Sequence, residues 1–286
     1  MIGRLPHLLV IAALLACPPP AVAQLPAADN ALEEERYRQC LAKVNENAEA
    51  GFERARDWRI SGGGIPSRHC AAMALIALQK FAMAAQMLEQ IAGDQADMSP
   101  ELRADVLAQA GQAWIMQGDA VRAISAQTAA LKLKPDDPDL LIDRSIGYGG
   151  SGRYWEAIDD LNRVIELNPR RADAYVFRAS AYRLVDAPEL ALDDVAEALR
   201  LSPGSPDALL ERGMLRRMTG DDAGARQDWV QVVRMGAAAG AALDVARANL
   251  EKMDVKVEPA PPAAPPAPTR PQRPQPRKDG PPRAGG

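Results

Sequence analysis

Few side chains in this chain stand where they could do chemistry together. Histidine occurs twice in 286 residues, at positions 7 and 69, and cysteine three times, at 17, 40 and 70. No run of Cys, His or Asp lies around His69 at the spacing a metal site needs, so the imidazole reads as a helix-surface or groove residue. Ser61-Gly62-Gly63-Gly64 lacks the Gly-Lys-Ser/Thr ending and the preceding strand of a phosphate-binding loop, and reads as a linker. There is no nucleophile elbow and no interleaving of basic and aromatic residues for nucleic acid. The expectation is a chain with no catalytic residues, no metal, no cofactor and no nucleic-acid partner.

One charged pattern carries more information. Arg144 and Asp160, Arg178 and Asp194, and Arg212 and Asp228 are each 16 residues apart, and the three pairs follow one another at a fixed step. Such a series is either a charged binding stripe or a ladder in which planar Arg forks bridge carboxylates between helices and fix their angle. The ladder is the preferred reading, because bidentate pairing holds geometry well while adding little net stability.

The elements that would position these groups follow from periodicity. Within 172–203, Tyr175, Ala179 and Tyr182 fall at helical spacing, Asp186-Ala187-Pro188 breaks the chain, and Ala191, Val195 and Ala198 fall on a second helical segment that ends at Pro203. The same arrangement recurs every 34 residues, in Pro135, Pro169 and Pro203, in Ala123, Ala157, Ala191 and Ala225, and in Gly118, Gly152, Asp186 and Gly220. Small or fixed residues repeat on the first segments at Ala110-Gly111, Arg144-Ser145, Arg178-Ala179 and Arg212-Gly213. In this the sequence closely resembles the tetratricopeptide repeat family, whose units are pairs of short helices. The resemblance implies an all-α fold, a right-handed α-solenoid, with regular repeats at about 104–135, 138–169, 172–203 and 206–236. Ala241–Met253 reads as a cap helix turning Leu243, Ala246 and Leu250 inward.

The flanks differ in composition. Residues 1–23 read as an export signal, with Arg4, the apolar run Leu8–Ala16, and Ala21-Val22-Ala23 as a small-residue cleavage site. That run is too short to span a bilayer. A lipoprotein signal acylated at Cys17 is the alternative, for which Leu15 fits poorly. Residues 24–99 read as degenerate helical hairpins, with Asp29 or Asn30 as a cap, stripes Leu32/Tyr37/Leu41/Val44 and Ala48/Phe52/Ala55/Trp58, and a second hairpin from Arg68 to Ala92 in which Ala72 and Ala84 are the small residues. Ser99-Pro100-Glu101 marks a fresh helix start, and 100–254 holds the regular repeats and the cap. From 255 to 286 the chain is rich in Pro and Arg, with no apolar periodicity, and reads as a disordered tail. Its six basic and two acidic residues give +4; setting these and Arg4 against the formal net charge of -4 leaves -9 on the helical body.

The resemblance extends to function. In the family, first helices line a concave face, which would place Ala108, Gln112, Ile115 and Met116, then Ile142, Ile146 and Gly149, then Val176, Ser180, Arg183 and Leu184, then Leu210, Met214, Arg217 and Met218 in a groove. That lining is apolar and contains methionine, suiting adaptable contact with a peptide or helix. The Lys and Asn residues of the family's carboxylate clamp are missing there, so an acidic C-terminal peptide is not the expected ligand. Cys40 and Cys70 would lie on first helices of successive hairpins, which pack side by side in this family. A disulfide between them is expected in an oxidising compartment, against the alternative of two buried thiols. The implied protein is a periplasmic adaptor for a protein or peptide partner, with no transmembrane segment in the mature chain. The competing reading is a scaffold subunit of an envelope assembly that uses its convex face and tail.

Overall fold

The structure is a computed structural model that describes residues 27–94 and 98–253, all of them helix, turn or loop. The expected export signal with Cys17, and the tail from residue 255, lie outside the described residues. The fold is of the α-solenoid class, built from helical hairpins, and divides into two compact units, one up to Ala129 and one from Ala130. In the first unit α1 (Ala27–Glu46) pairs with α2 (Ala48–Ile60), α3 (Gly64–Ala77) with α4 (Phe81–Gly93), and α5 (Pro100–Gln117) is followed by α6 (Ala120–Leu131), whose last residues cross the division. The second unit holds α7 (Pro138–Gly150) with α8 (Tyr154–Leu167), α9 (Ala172–Leu184) with α10 (Pro188–Leu201), α11 (Pro206–Met218) with α12 (Asp222–Arg234), a 3-10 turn at Gly236–Ala239, and α13 (Ala242–Glu251).

Helix starts follow capping chemistry. Ser99, Asp137 and Ser205 each accept a backbone N–H from the first turn that follows, and each precedes a proline at the first helical position. At the N-terminal end the expectation fails. Helix α1 is described from Ala27, so Asp29 and Asn30 lie within the helix, past the position a cap occupies. The cap that matters there is Asn47, which stands alone between α1 and α2 in extended conformation and accepts from Ala50 N at 2.9 Å.

Cys40 and Cys70 form a disulfide that joins α1 to α3, with Cα atoms 6.3 Å apart. Both are fully buried, and Val44, Ala55, Trp58, Ala71 and Ala74 close around them. Closing a loop of 30 residues stabilises by roughly 3–4 kcal/mol in the chain-entropy model. At the other end, Ala242, Ala246 and Leu250 of α13 are buried against α11 and α12 with Leu243 packed beside them, as a terminal cap requires.

Two hairpins close on a glycine facing a residue 16 positions later. Gly111 lies under Gln127, and Gly213 under the indole of Trp229, so closely that a Cβ at either glycine would collide with the opposing side chain. The large partners also donate to equivalent carbonyls, Gln127 Nε2 to Ala108 O at 3.2 Å and Trp229 Nε1 to Leu210 O at 3.3 Å. At the same step Ser145 is followed by Leu161 and Ala179 by Val195.

One residue before each small position the second unit places its arginines. Arg144 reaches Asp160 through Nε at 2.8 Å and Nη2 at 2.6 Å, Arg178 reaches Asp194 at the same two distances, and Arg212 reaches Asp228 at 3.0 and 2.7 Å. All three aspartates are buried, so these forks are the interhelical ladder and not a binding stripe. Arg178 extends it to the preceding hairpin through Asn162 at 2.7 Å. In the first unit the corresponding residues of α5 and α6 are Ala110 and Ala126, both in the apolar core. An apolar pair does the same job without desolvating charge.

The turn between paired helices repeats one backbone device. The residue five before the second-helix alanine has positive φ in five hairpins, at Gln79 (57°), Gly118 (81°), Gly152 (75°), Asp186 (60°) and Gly220 (87°). The next N–H then bonds back across the turn to the residue five before it, as in Lys80 to Leu75, Asp119 to Trp114, Arg153 to Tyr148, Ala187 to Tyr182 and Asp221 to Arg216, all at 2.8–2.9 Å. A side chain in the left-handed region costs roughly 1–2 kcal/mol, less for Asp than for Gln, while glycine loses more entropy on folding. Gln79→Gly is therefore expected to stabilise the protein by about 0.5–1 kcal/mol and Asp186→Gly by less, whereas Gly152→Ala destabilises by about 1 kcal/mol. Urea unfolding midpoints at constant slope check the order.

Candidate functional site

Clefts open along the first helices in each unit. In the first unit the middle helix is α3, and its His69 is bound on both sides. Tyr37 Oη of α1 lies 2.7 Å from Nδ1, and Gln109 Oε1 of α5 lies 2.7 Å from Nε2. Because Oε1 can only accept, Nε2 carries the proton and Nδ1 accepts from the tyrosine. Burial holds the imidazole below its ordinary pKa, opposed in part by the Gln109 bond, and pushes the Tyr37 phenol up. Above this polar floor opens a cavity of about 550 Å³, walled by Ile65, Pro66, Met98, Leu102 and Val106, with Glu33, Glu34 and Asp105 also lining it.

The second unit holds clefts along its first helices. Between α7 and α9, one of about 220 Å³ is lined by Ile146, Gly149, Phe177, Ser180 and Leu184 among others. Between α9 and α11, one of about 450 Å³ takes in Val176, Phe177, Leu210 and Glu211, with Asp173 and Asp207. A third, of about 280 Å³, lies against α13, where Arg183, Met214, Arg217, Met218 and Lys252 meet. Phe177 separates the first two clefts and stands 37% exposed. Glu211 is buried to 4% exposure and holds Arg183 across α9 and α11, Nε to Oε1 at 2.5 Å. Burial raises its carboxyl pKa, and the arginine bond only partly offsets this.

Residues 111–181 match the model of the tetratricopeptide repeat family. With the repeated turn, the closing small residues and the hairpin order, this decides the class. Residues 111–181 are tetratricopeptide repeats. Solved structures agree in fold. The tetratricopeptide repeat protein YrrB shares 20% identity over 64% of this chain and 96% of its own, at a TM-score of 0.51. TTC0263 of Thermus thermophilus shares 18% over 66% and 100%, at 0.52, and MamA 17% over 69% and 100%, at 0.50. Comparison with curated proteins returns no sequence match.

The structure spreads the expected groove residues over several surroundings. Ile146, Val176, Leu184, Arg183, Arg217 and Met218 line clefts of the tetratricopeptide face. Ile142 and Leu210 are buried at 6% and 8% exposure, Leu210 at the base of a cleft, and Met214 packs on the C-terminal core. In the first unit Ile115 packs against the core and Met116 is exposed. Phe177 was not among the expected residues. The signal for it is its place seven before Leu184, on one helical stripe, in a register that holds Gln109, Asp143 and Glu211 in the neighbouring repeats. The cavity over His69 also escaped, since its three walls come from one regular and two degenerate first helices. Among the described residues no group of three or more His, Cys, Asp or Glu is placed to hold a metal ion, and no helix is long and apolar enough to cross a membrane.

The buried His69 generates a pH dependence. Its folded pKa lies below the unfolded value of about 6.5, so its contribution is fully present above that pH and is lost as pH falls through 6.5 toward the folded value. Thermal unfolding between pH 7.5 and 5 should show the native protein losing stability relative to His69→Gln. Parallel curves for the two proteins would refute the assignment.

Proposed function

We propose that the protein is an exported, non-catalytic adaptor that holds a peptide or helix on the concave face of residues 138–253. The observation that carries this is Phe177, a large ring left partly in water between two clefts walled by Ile146, Leu184, Val176 and Leu210. Aromatic anchors bordered by apolar pockets dominate binding energy at such surfaces. YrrB, alike in fold, is described as having an unusual peptide-binding site. Met218, 48% exposed beside Arg217, supplies an adaptable surface near α13.

Export to the periplasm rests on residues 1–23 as a cleaved signal, with the acylated Cys17 as the alternative, and the Cys40–Cys70 bridge supports an oxidising compartment. A scaffold role within an envelope assembly is the second reading. It is favoured by Trp155, which is 61% exposed on α8, a second helix of its hairpin.

Affinity capture from an envelope extract separates the two. Phe177→Ala and Met218→Glu should each lower recovery of the main partner at least about tenfold while helical content stays native, and Trp155→Ala should leave it unchanged. Loss through Trp155→Ala alone would transfer the function to the scaffold reading. Met214 is unsuitable for this test, because its packing on the core makes a charge there a folding lesion.

A further inference from the structure

The first unit carries a cavity that the adaptor reading does not use. We infer that the cleft over His69 is a second, separate binding site, and that its occupant is a basic peptide segment of a partner protein with apolar side chains set between Lys or Arg residues. The inference concerns residues 33–109 and does not rest on the proposed role of Phe177.

Three features of the cleft select this chemistry. The first is size and lining. About 550 Å³ lies within the range of ligand pockets, and its walls are the side chains of Ile65, Pro66, Met98, Leu102 and Val106. Leu102 stands 50% exposed on the lip, so an entering apolar side chain would remove both surfaces from water. The second is charge. The lining residues include the three carboxylates Glu33, Glu34 and Asp105 and no Lys or Arg. Glu33 is shared with Arg36 of its own helix at 2.9 Å; Glu34 belongs to α1 and Asp105 to α5. Since His69 of α3 bonds to both α1 and α5, those two helices flank it, and the carboxylates stand on opposite walls. A cation that follows an apolar anchor meets acid on whichever side it turns, and acidic partners are repelled.

The third feature is that the floor is already satisfied. Tyr37, His69 and Gln109 spend their facing polar atoms on one another, so the floor is a fixed platform and the carboxylates set the charge that a ligand meets. The platform is held in place from behind. Cys70 follows His69 directly and Cys40 lies three residues after Tyr37, one helical turn away, so the disulfide joins the two helices next to two of the three side chains that form the floor.

Fluorescence anisotropy on the full, oxidised chain tests this with three labelled probes of about twelve residues. One alternates Leu with Lys, the second has Glu for every Lys, and the third has Ser for every Leu. The Leu/Lys peptide should bind saturably, with both others at least about tenfold weaker, and its affinity should fall as salt rises from about 50 to 300 mM. Glu34→Lys, and Glu34→Lys with Asp105→Lys, should weaken it about tenfold or more with unchanged circular dichroism, since Glu34 and Asp105 are both exposed. Phe177→Ala should leave it unaltered. Equal affinity for the Lys and Glu probes, or binding lost through Phe177→Ala and kept in Glu34→Lys, would overturn the site. Binding of the Ser/Lys probe as strong as the Leu/Lys probe would reduce it to general attraction by an acidic surface and overturn it equally.

Discussion

Two helices joined by a tight turn can share an interior only if their backbones come close at one level, and most of what distinguishes this chain follows from how it meets that constraint. At Gly111 and Gly213 there is no room for a Cβ, and the opposing Gln127 and Trp229 occupy the space. Where the first helix carries Ser or Ala, the second carries Leu or Val. The residues that meet at this level therefore differ from hairpin to hairpin. The left-handed turn residue is part of the same solution. It reverses the chain within a few residues, delivering the second helix at the separation that the small residue permits.

Polar interactions are arranged around that contact and do not replace it. The aspartates of the Arg ladder are almost fully buried, and isolated carboxylates there would carry a large desolvation cost. Each is met by two guanidinium N–H groups, and Asp228 is met by Arg216 as well as Arg212, with Nη1 at 2.8 Å. Such pairs penalise any other register of the two helices, since a shift would leave a buried charge alone. The first unit fixes the corresponding helices with alanines and adds one covalent bond at its N-terminal end.

Repetition explains how much could be read without coordinates. The 34-residue step in Ala123, Ala157, Ala191 and Ala225 marked hairpins that the structure contains, and the 16-residue step of the Arg/Asp pairs marked contacts that it makes. The pairing of Cys40 with Cys70 followed from the same repeat logic. Unique features were harder. Gln79 holds a left-handed turn without glycine, so composition gave no hint of it. Phe177 occupies a register that is polar in its neighbours, and a reading by repeat average passes over it. The His69 contacts span 32 and 40 residues between unlike hairpins, distances at which no local pattern survives. Individuality is what a repeat hides.

The disulfide also sets how the protein would answer to force. Tension applied along the chain passes through the Cys40–Cys70 bond and bypasses the residues between them, which include the end of α1, all of α2 and the start of α3. About 100 Å of potential extension, at roughly 3.4 Å per residue for the 30-residue separation, is thereby withheld from any pull on the ends. The helices beyond Cys70 have only non-covalent closure, and would lengthen hairpin by hairpin. A body attached at its N-terminal side thus has a segment that cannot be drawn out, followed by a compliant one; the stiff segment carries His69, while the carboxylates of the cleft, Glu33, Glu34 and Asp105, lie on the chain to either side of it.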